Sequence, residues 1–321
     1  MRRFVGPVLV GLGAFLLVAA VLMRFYAYPQ LAVAPIDRDS VTNLEATDAT
    51  LFDTSLLSEI TTDVTVATTT RGDVEASEEA GDNTRVYTGT TTITANGIVR
   101  SQSTDRAAFD GVSGEAVNCC GGFAETTEGE QTPITRKGLI YKFPFRTEKK
   151  DYDFWDNTLR DTVKAEYQKE DQVRGLDVYV FTTSTPPTVV GTREVPGSVV
   201  GLEDAAVEAD IVYANERTMY VDPVTGGIVN RTEKQKSTLA IDGEDKVTTT
   251  EAELRYTDAQ VKASVDDISE QAGQLNLLRT TLPLVFLLLG LIALAVGLLL
   301  TRRSRDYDDN PAHRQQTTVD A

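Results

Sequence analysis

Cys119 and Cys120 are the only two cysteines of the chain, and they are adjacent. Joined to each other they would close a small strained ring; otherwise they are two free thiols or halves of bridges to other chains. Gly121 and Gly122 follow directly and favour a tight loop, so the pair is read as a candidate disulfide with a structural role. A second reactive-looking group is Asp151, Asp153 and Asp156 around Phe154 and Trp155, a mixture of acids and aromatics that sugar-cleaving sites use. An acidic chain produces such clusters by chance, and these three lack the spacing of an EF-hand loop. The only histidine is His313, near the C-terminus. Its isolation removes Ser-His-Asp and Cys-His nucleophilic sites, and His-ligated zinc or iron, from everything before it. No Walker or Rossmann glycine pattern occurs. No catalytic, cofactor-binding or metal-binding residue is therefore assigned, and the chain reads as non-enzymatic.

The elements that hold these residues begin with the membrane. Leu282–Leu300 is a run of nineteen residues without a charged side chain, long enough as a helix to cross a bilayer. Arg302, Arg303 and Arg305 follow it against a single Arg279 before it, which places the C-terminal tail in the cytoplasm. Phe4–Met23 is a second uncharged run, preceded by Arg2 and Arg3. Ala32-Val33-Ala34 resembles a signal-peptide cleavage site but lies well beyond the apolar run. The run is also longer than a signal core, so a retained helix is expected. Arg24, Phe25, Tyr26 and Tyr28 suit the membrane interface. Gly6, Gly11 and Gly13 would let another helix approach closely.

The formal charge is −17. Four Arg and four Asp cancel in the tail from Thr301, and Arg2 and Arg3 are positive, so the middle carries −19. Such a surface repels phosphate backbones, and no nucleic-acid partner is expected.

Between the helices the pattern is β. Ile60–Thr70 and Val86–Ile93 are β-branched and alternating, with turn residues at Arg71-Gly72-Asp73 and Ala80–Asn83. Phe109–Val117 and Val221–Val229 share the pattern apolar-Asp-x-x-Ser/Thr-Gly-x-apolar-Val. Each reads as strand, tight turn and returning strand; two of them suggest a duplicated β unit or one common turn used twice. Gly138–Phe145 with Tyr152, Phe154 and Trp155 is the most aromatic stretch. Val173–Thr183 is apolar on both faces, as a central strand is. Pro186-Pro187 and Pro196-Gly197 bracket an expected loop or edge segment, and Ile211–Tyr256 an antiparallel meander. Thr257 and Gln260 fit a capping box for a helix whose apolar stripe is Val261, Val265, Ile268, Ala272 and Leu275.

The expected organisation is a cytoplasmic N-terminus (1–3), a first transmembrane helix (4–23) and an extracytoplasmic β-rich domain (24–256). An amphipathic stalk helix (257–281), a second transmembrane helix (282–300) and a disordered cytoplasmic tail (301–321) follow. The fold class is thus a mainly β, antiparallel domain with a helix at each end, in a two-pass cell-membrane protein.

Ala116–Cys120, Gly138–Lys149 and Val221–Val229, with the opening Met1–Pro7, resemble an actinobacterial membrane-protein family of unknown function also labelled porin PorA. The likeness covers essentially the whole chain and implies an envelope protein held by a helix at each end. Three functions are ranked on this basis. First comes binding or handling of a lipid or glycolipid in envelope assembly, in an apolar groove near the aromatic centre. Second is a membrane scaffold recruiting protein partners or copies of itself. A porin-like channel comes last, because the strands are Thr-rich and the domain acidic, unlike an apolar-out barrel wall.

Overall fold

The structure is a computed structural model that describes residues 4–127 and 130–308. The N-terminus expected for 1–3 and the tail beyond 308, with His313 and Arg314, lie outside the described residues. The chain divides into a helical unit, residues 1–32 and 272–321, and a β unit, Val33–Gln271.

In the helical unit, α1 (Val5–Leu22) passes through a π turn at Met23–Ala27 into the short α2 (Tyr28–Leu31). Both apolar runs form helices long and apolar enough to cross a membrane. The glycines determine how α1 meets α5 (Leu282–Asp308). A Cβ on Gly13 would lie 2.7 Å from the Gly290 carbonyl oxygen, one on Gly297 2.8 Å from the Val10 nitrogen, and one on Gly6 2.5 Å from Thr301 Oγ1. The two helices therefore touch backbone to backbone, the close approach that small residues permit in membranes. Low numbers on α1 meet high numbers on α5, so the pair is antiparallel. Gly11, expected in the same role, faces open space. At the other end of the pair Arg24 Nη1 donates to the Arg279 carbonyl, and Arg279 lies over the Tyr28 ring.

In the β unit, alternation of β-branched and polar residues gives long strands. These are β1 (Asp39–Asp53), β2 (Ser58–Gly72), β3 (Thr84–Ala95), β4 (Ile98–Asp110), β5 (Ala116–Val117), β6 (Phe123–Thr127) and β7 (Glu130–Pro133). After the aromatic stretch come β8 (Tyr152–Asp156), β9 (Asp161–Val173), β10 (Leu176–Val195), β11 (Val207–Val221), β12 (Ile228–Ile241) and β13 (Glu244–Tyr256). All belong to one antiparallel arrangement, ordered β7-β6-β4-β3-β2-β1-β13-β12-β11-β10-β9-β8, with β5 beside β4. The first and last long strands are neighbours, Leu44 opposite Tyr256.

The two ends of this sheet are also joined. Leu139 bridges Glu115 on one side and Phe154 of β8 on the other. Leu139 N donates to Asp153 O, Trp155 N to Leu139 O, and Ile140 N to Gly114 O. Backbone hydrogen bonding thus runs from β8 through Leu139 and Glu115 to β5 and β4, and returns on itself. The sheet is closed at this level.

Three elements depart from expectation. Asp73 does not sit in a bare turn but caps α3 (Val74–Ala80), accepting from Ala76 N at 3.0 Å. Pro186-Pro187 lies inside β10, where the register to β11 shifts between Thr185 and Thr188. Pairing of β10 with β9 ends at Thr182, so the prolines meet no partner on that edge and their missing N–H is not needed. The capping box is half made. Thr257 Oγ1 accepts from Gln260 N, while the Gln260 side chain receives Asn43 N of β1 instead. The helix it opens, α4 (Asp258–Asn276), packs Val265 and Ile268 against Val173, Val178 and Val229. A π turn at Leu277–Thr281 leads from it to α5, which continues to Asp308, past the expected end of the second apolar helix.

Candidate functional site

The twin turns and the aromatic stretch make the centre of the β unit. In the first turn Asp110 Oδ1 accepts from Val112 N, Ser113 N and Ser113 Oγ at 3.0, 2.6 and 2.8 Å. In the second Asp222 Oδ1 accepts from Val224 N, Thr225 N and Thr225 Oγ1 at 3.2, 2.7 and 2.7 Å. The two are the same turn built twice within one sheet. Both grip the segment that follows Leu139: Ile140 N donates to Gly114 O and Phe145 N to Val112 O, Phe143 N to Gly226 O and Arg146 N to Val224 O. A short polar carboxylate at a strand end thereby fixes the loop that closes the sheet.

That loop delivers Phe143 into a core with Leu139, Phe154, Ala165, Phe181 and Met219. Phe143 and Phe181 stack at 4.5 Å, and Phe154 lies 5.5 Å from Phe143. Trp155, next along β8, points to the other side, with Tyr87, Phe109 and Ile140. The aromatic centre is a filled core held by its own ring contacts.

Lys142, between these cores, lies 3.8 Å from the Phe145 ring centroid and near the Val112 carbonyl. Burial pushes its ammonium down to about 7 against a weaker pull from Asp110. In the unfolded chain it stays protonated up to its ordinary 10.5, so folding releases a proton between these values. The cost of burying the charge is full below about pH 7 and fades as pH rises toward 10.5. Stability should accordingly increase with pH across that window, and Lys142→Met should flatten the slope. Chemical denaturation at several pH values reads it; an equal slope in the variant would refute the assignment.

The expected acidic cluster is not brought together. Asp151 Oδ1 receives Tyr167 N, Asp153 pairs with Lys164 at 2.7 Å, and Asp156 turns inward. There it belongs to a buried network not foreseen from the sequence. Tyr213 OH donates to Asp156 Oδ2 at 3.2 Å, and Arg217 lies 3.7 Å from the same carboxylate and 3.1 Å from Glu233. Arg231 reaches Glu233 at 2.8 Å, and Asn215 Nδ2 donates to it. Burial raises the Glu233 carboxyl, but Arg231 and Arg217 outweigh this and hold it at about 2. Asp156 comes from β8 and Tyr213 from β11, two strands apart in between, so the sheet curls until its inner side chains meet. The sequence carried no direct signal for it: counting back from the Asp222 turn puts Arg217 opposite Thr232, and only the register shift between Tyr220 and Val221 brings it opposite Glu233.

The Cys119 and Cys120 sulfurs lie at bonding distance, 2.15 Å. They line a cavity of about 390 Å3 over Ala107 and Ala108, with Arg136 at its side. Among the described residues no group of His, Cys, Asp and Glu is placed to hold a metal ion.

Comparison with known proteins identifies what carries this architecture. The porin PorA family matches residues 5–299, both apolar helices and all strands between them. The chain belongs to the porin PorA family. Porin PorA of Corynebacterium amycolatum is 26% identical, over 95% of this chain and the full length of that protein. Porin PorA of Corynebacterium resistens is 23% identical, over 95% of this chain and 98% of that protein. The ranking drawn from the sequence is corrected here. PorA relatives are named as porins, so the channel, placed last, moves first. Lipid or glycolipid handling has no support, because the aromatic residues expected to line an apolar groove are packed on one another. The objection from Thr-rich strands is weakened as well, since it presumed a barrel wall facing lipid, whereas this chain has two helices long and apolar enough to cross a membrane.

Proposed function

We propose that this protein forms a channel for small hydrophilic solutes in the cell envelope and catalyses no reaction. The observation that carries this reading is the family match, which takes in the helices and the sheet as one unit. The helix pair itself has no room for a lumen, because its glycines bring the backbones together. A passage therefore requires several copies side by side, making a homo-oligomer the partner this reading needs. The antiparallel pairing sets Val5 and Thr301 at the same end, which supports a two-pass chain with both termini on one side. The arginines from Arg302 onward make that side cytoplasmic, and the β domain extracytoplasmic. A mouth formed by a domain of charge −19 favours cations. In that oxidising location Cys119 and Cys120 remain bridged to each other.

Full-length protein reconstituted in a planar bilayer should give stepwise conductance, and a KCl gradient should give a reversal potential of cation-selective sign. No steps at any protein concentration would refute the channel, and an anion-selective sign the role of the acidic domain. A reporter fused after Arg305 should be active in the cytoplasm only; activity outside would reverse the topology. Alkylation of the denatured, unreduced chain should add no mass at the cysteines, and one or two adducts would exclude the bridge.

A further inference from the structure

We propose that Cys119 and Cys120 form a reversible redox switch, opened by a dithiol, that acts through Arg106 on the first turn of α3. The proposal rests on the bridge between the two cysteines. Opening it is a two-electron exchange. One thiolate of the dithiol attacks a cysteine sulfur and breaks the bond between the two. The second thiol of the dithiol then displaces that cysteine from the mixed disulfide. The chain keeps two thiols with their protons, and the reagent leaves as a cyclic disulfide.

Access and chain economy favour a switch over a staple. Both cysteines are half-buried and line a cavity of about 390 Å3, and their neighbours Asn118 and Gly121 are exposed. A small thiol therefore reaches them while the domain stays folded. A bond between adjacent residues closes no length of chain, so it takes almost no freedom from the unfolded state, the usual source of a disulfide's stabilisation. What it fixes is local. Cys120 has φ +63° and Gly121 φ +71°, and together they turn the chain between β5 and β6. A Cβ disfavours that conformation at Cys120. Unbonded sulfurs move apart to van der Waals distance, so the opened pair no longer holds Cys120 there.

The connection to α3 runs through one guanidinium. Arg106 Nε donates to Cys120 O at 3.1 Å, Nη2 to Asp73 Oδ2 at 2.8 Å and Nη1 to Thr88 Oγ1 at 3.4 Å. The other Asp73 oxygen, Oδ1, caps α3 by accepting from Ala76 N at 3.0 Å. Rotation of the Cys120 carbonyl withdraws one acceptor from Arg106 and loosens its grip on the capping carboxylate. Movement is confined on the side of β5, where Asn118 bonds Arg136 twice. Asn118 Nδ2 donates to the Arg136 carbonyl at 2.9 Å, and its Oδ1 accepts from Arg136 N at 2.8 Å. The bridge is thus a two-state element with a defined neighbour to act on.

Full-length protein in lipid nanodiscs would be treated with dithiothreitol without denaturant, and its hydrogen exchange followed by mass spectrometry. Iodoacetamide should then label both cysteines. Amides at residues 117–122 and 73–78 should exchange about ten-fold faster, the effect of losing one hydrogen bond to a charged group. The rest of the β unit should be unchanged, and reoxidation with diamide should restore the slow rates. The double variant Cys119→Ser, Cys120→Ser should show the fast exchange without dithiothreitol and not respond to it. A bridge that opens only in denaturant, opening without faster exchange at 73–78, or acceleration across the whole β unit would each overturn the switch. Adducts on the denatured, unreduced chain would instead refute the bridge itself, and the switch with it. Conductance enters none of these readings, so the channel proposal stands or falls separately.

Discussion

Glu233→Ala is expected to destabilise the β unit by about 3–5 kcal/mol. The carboxylate is buried between Arg217 and Arg231, and removing it leaves the largely buried Arg217 with only the more distant Asp156 and the half-buried Arg231 with no carboxylate. The pair is not valuable because ion pairs are strong; breaking one side of a buried pair leaves an uncompensated charge. Arg217 Nε already lacks a hydrogen-bond partner there, so the network has little acceptor capacity to spare. Urea denaturation followed by circular dichroism measures the loss, and a change below about 1 kcal/mol would show that Glu233 sits in solvent. The same residue gives an acid signature. Its folded value of about 2 lies below its ordinary 4.5, so its contribution is complete above pH 4.5 and is lost as pH falls through 2.

Gly226→Ala should cost about 3 kcal/mol or more, from three sources of roughly 1 kcal/mol each. Gly226 has φ +72°, a left-handed conformation that a Cβ disfavours. The added atom would also lie 2.0 Å from Phe143 O and 2.5 Å from Pro144 O, closer than any real contact. Relieving that clash breaks the Phe143 N to Gly226 O bond and loosens the loop that carries Phe143 into the core. Gly243→Ala separates these terms. Gly243 has φ +79° but open space around it, so only the backbone cost of about 1 kcal/mol should appear. Equal losses in the two variants would show that the clash at Gly226 is relieved without cost.

The sequence made the local features legible. Unbroken apolar runs marked the two helices, alternation marked the strands, and the shared Asp-x-x-Ser/Thr-Gly pattern marked two turns that have the same hydrogen bonds. The aromatic stretch was found but misread as a groove, because composition does not say whether rings line a space or fill it. Distant pairings were not legible. Asp156 looked like one of three surface acids until curvature of the sheet placed it against Tyr213. Gly290 and Gly297 were lost within an apolar run, although they repeat the seven-residue spacing of Gly6 and Gly13 on the facing helix. The cavity at the cysteines depends on Ala107, Ala108 and Arg136 as well as on the cysteine pair. Only that pair stood out in the sequence.

The pairing of β1 with β13 also dictates when the domain can fold. Leu44 waits for Tyr256, so the seam between the first and last strands cannot form until nearly the whole domain has been delivered. Contacts so distant along the chain close slowly, and β1 presents an unpaired edge meanwhile. A chain emerging N-terminus first therefore passes through a period of exposed strands that ends only when its last strand arrives. Expression that stalls or truncates the chain before β13 should give aggregates rather than a smaller folded domain.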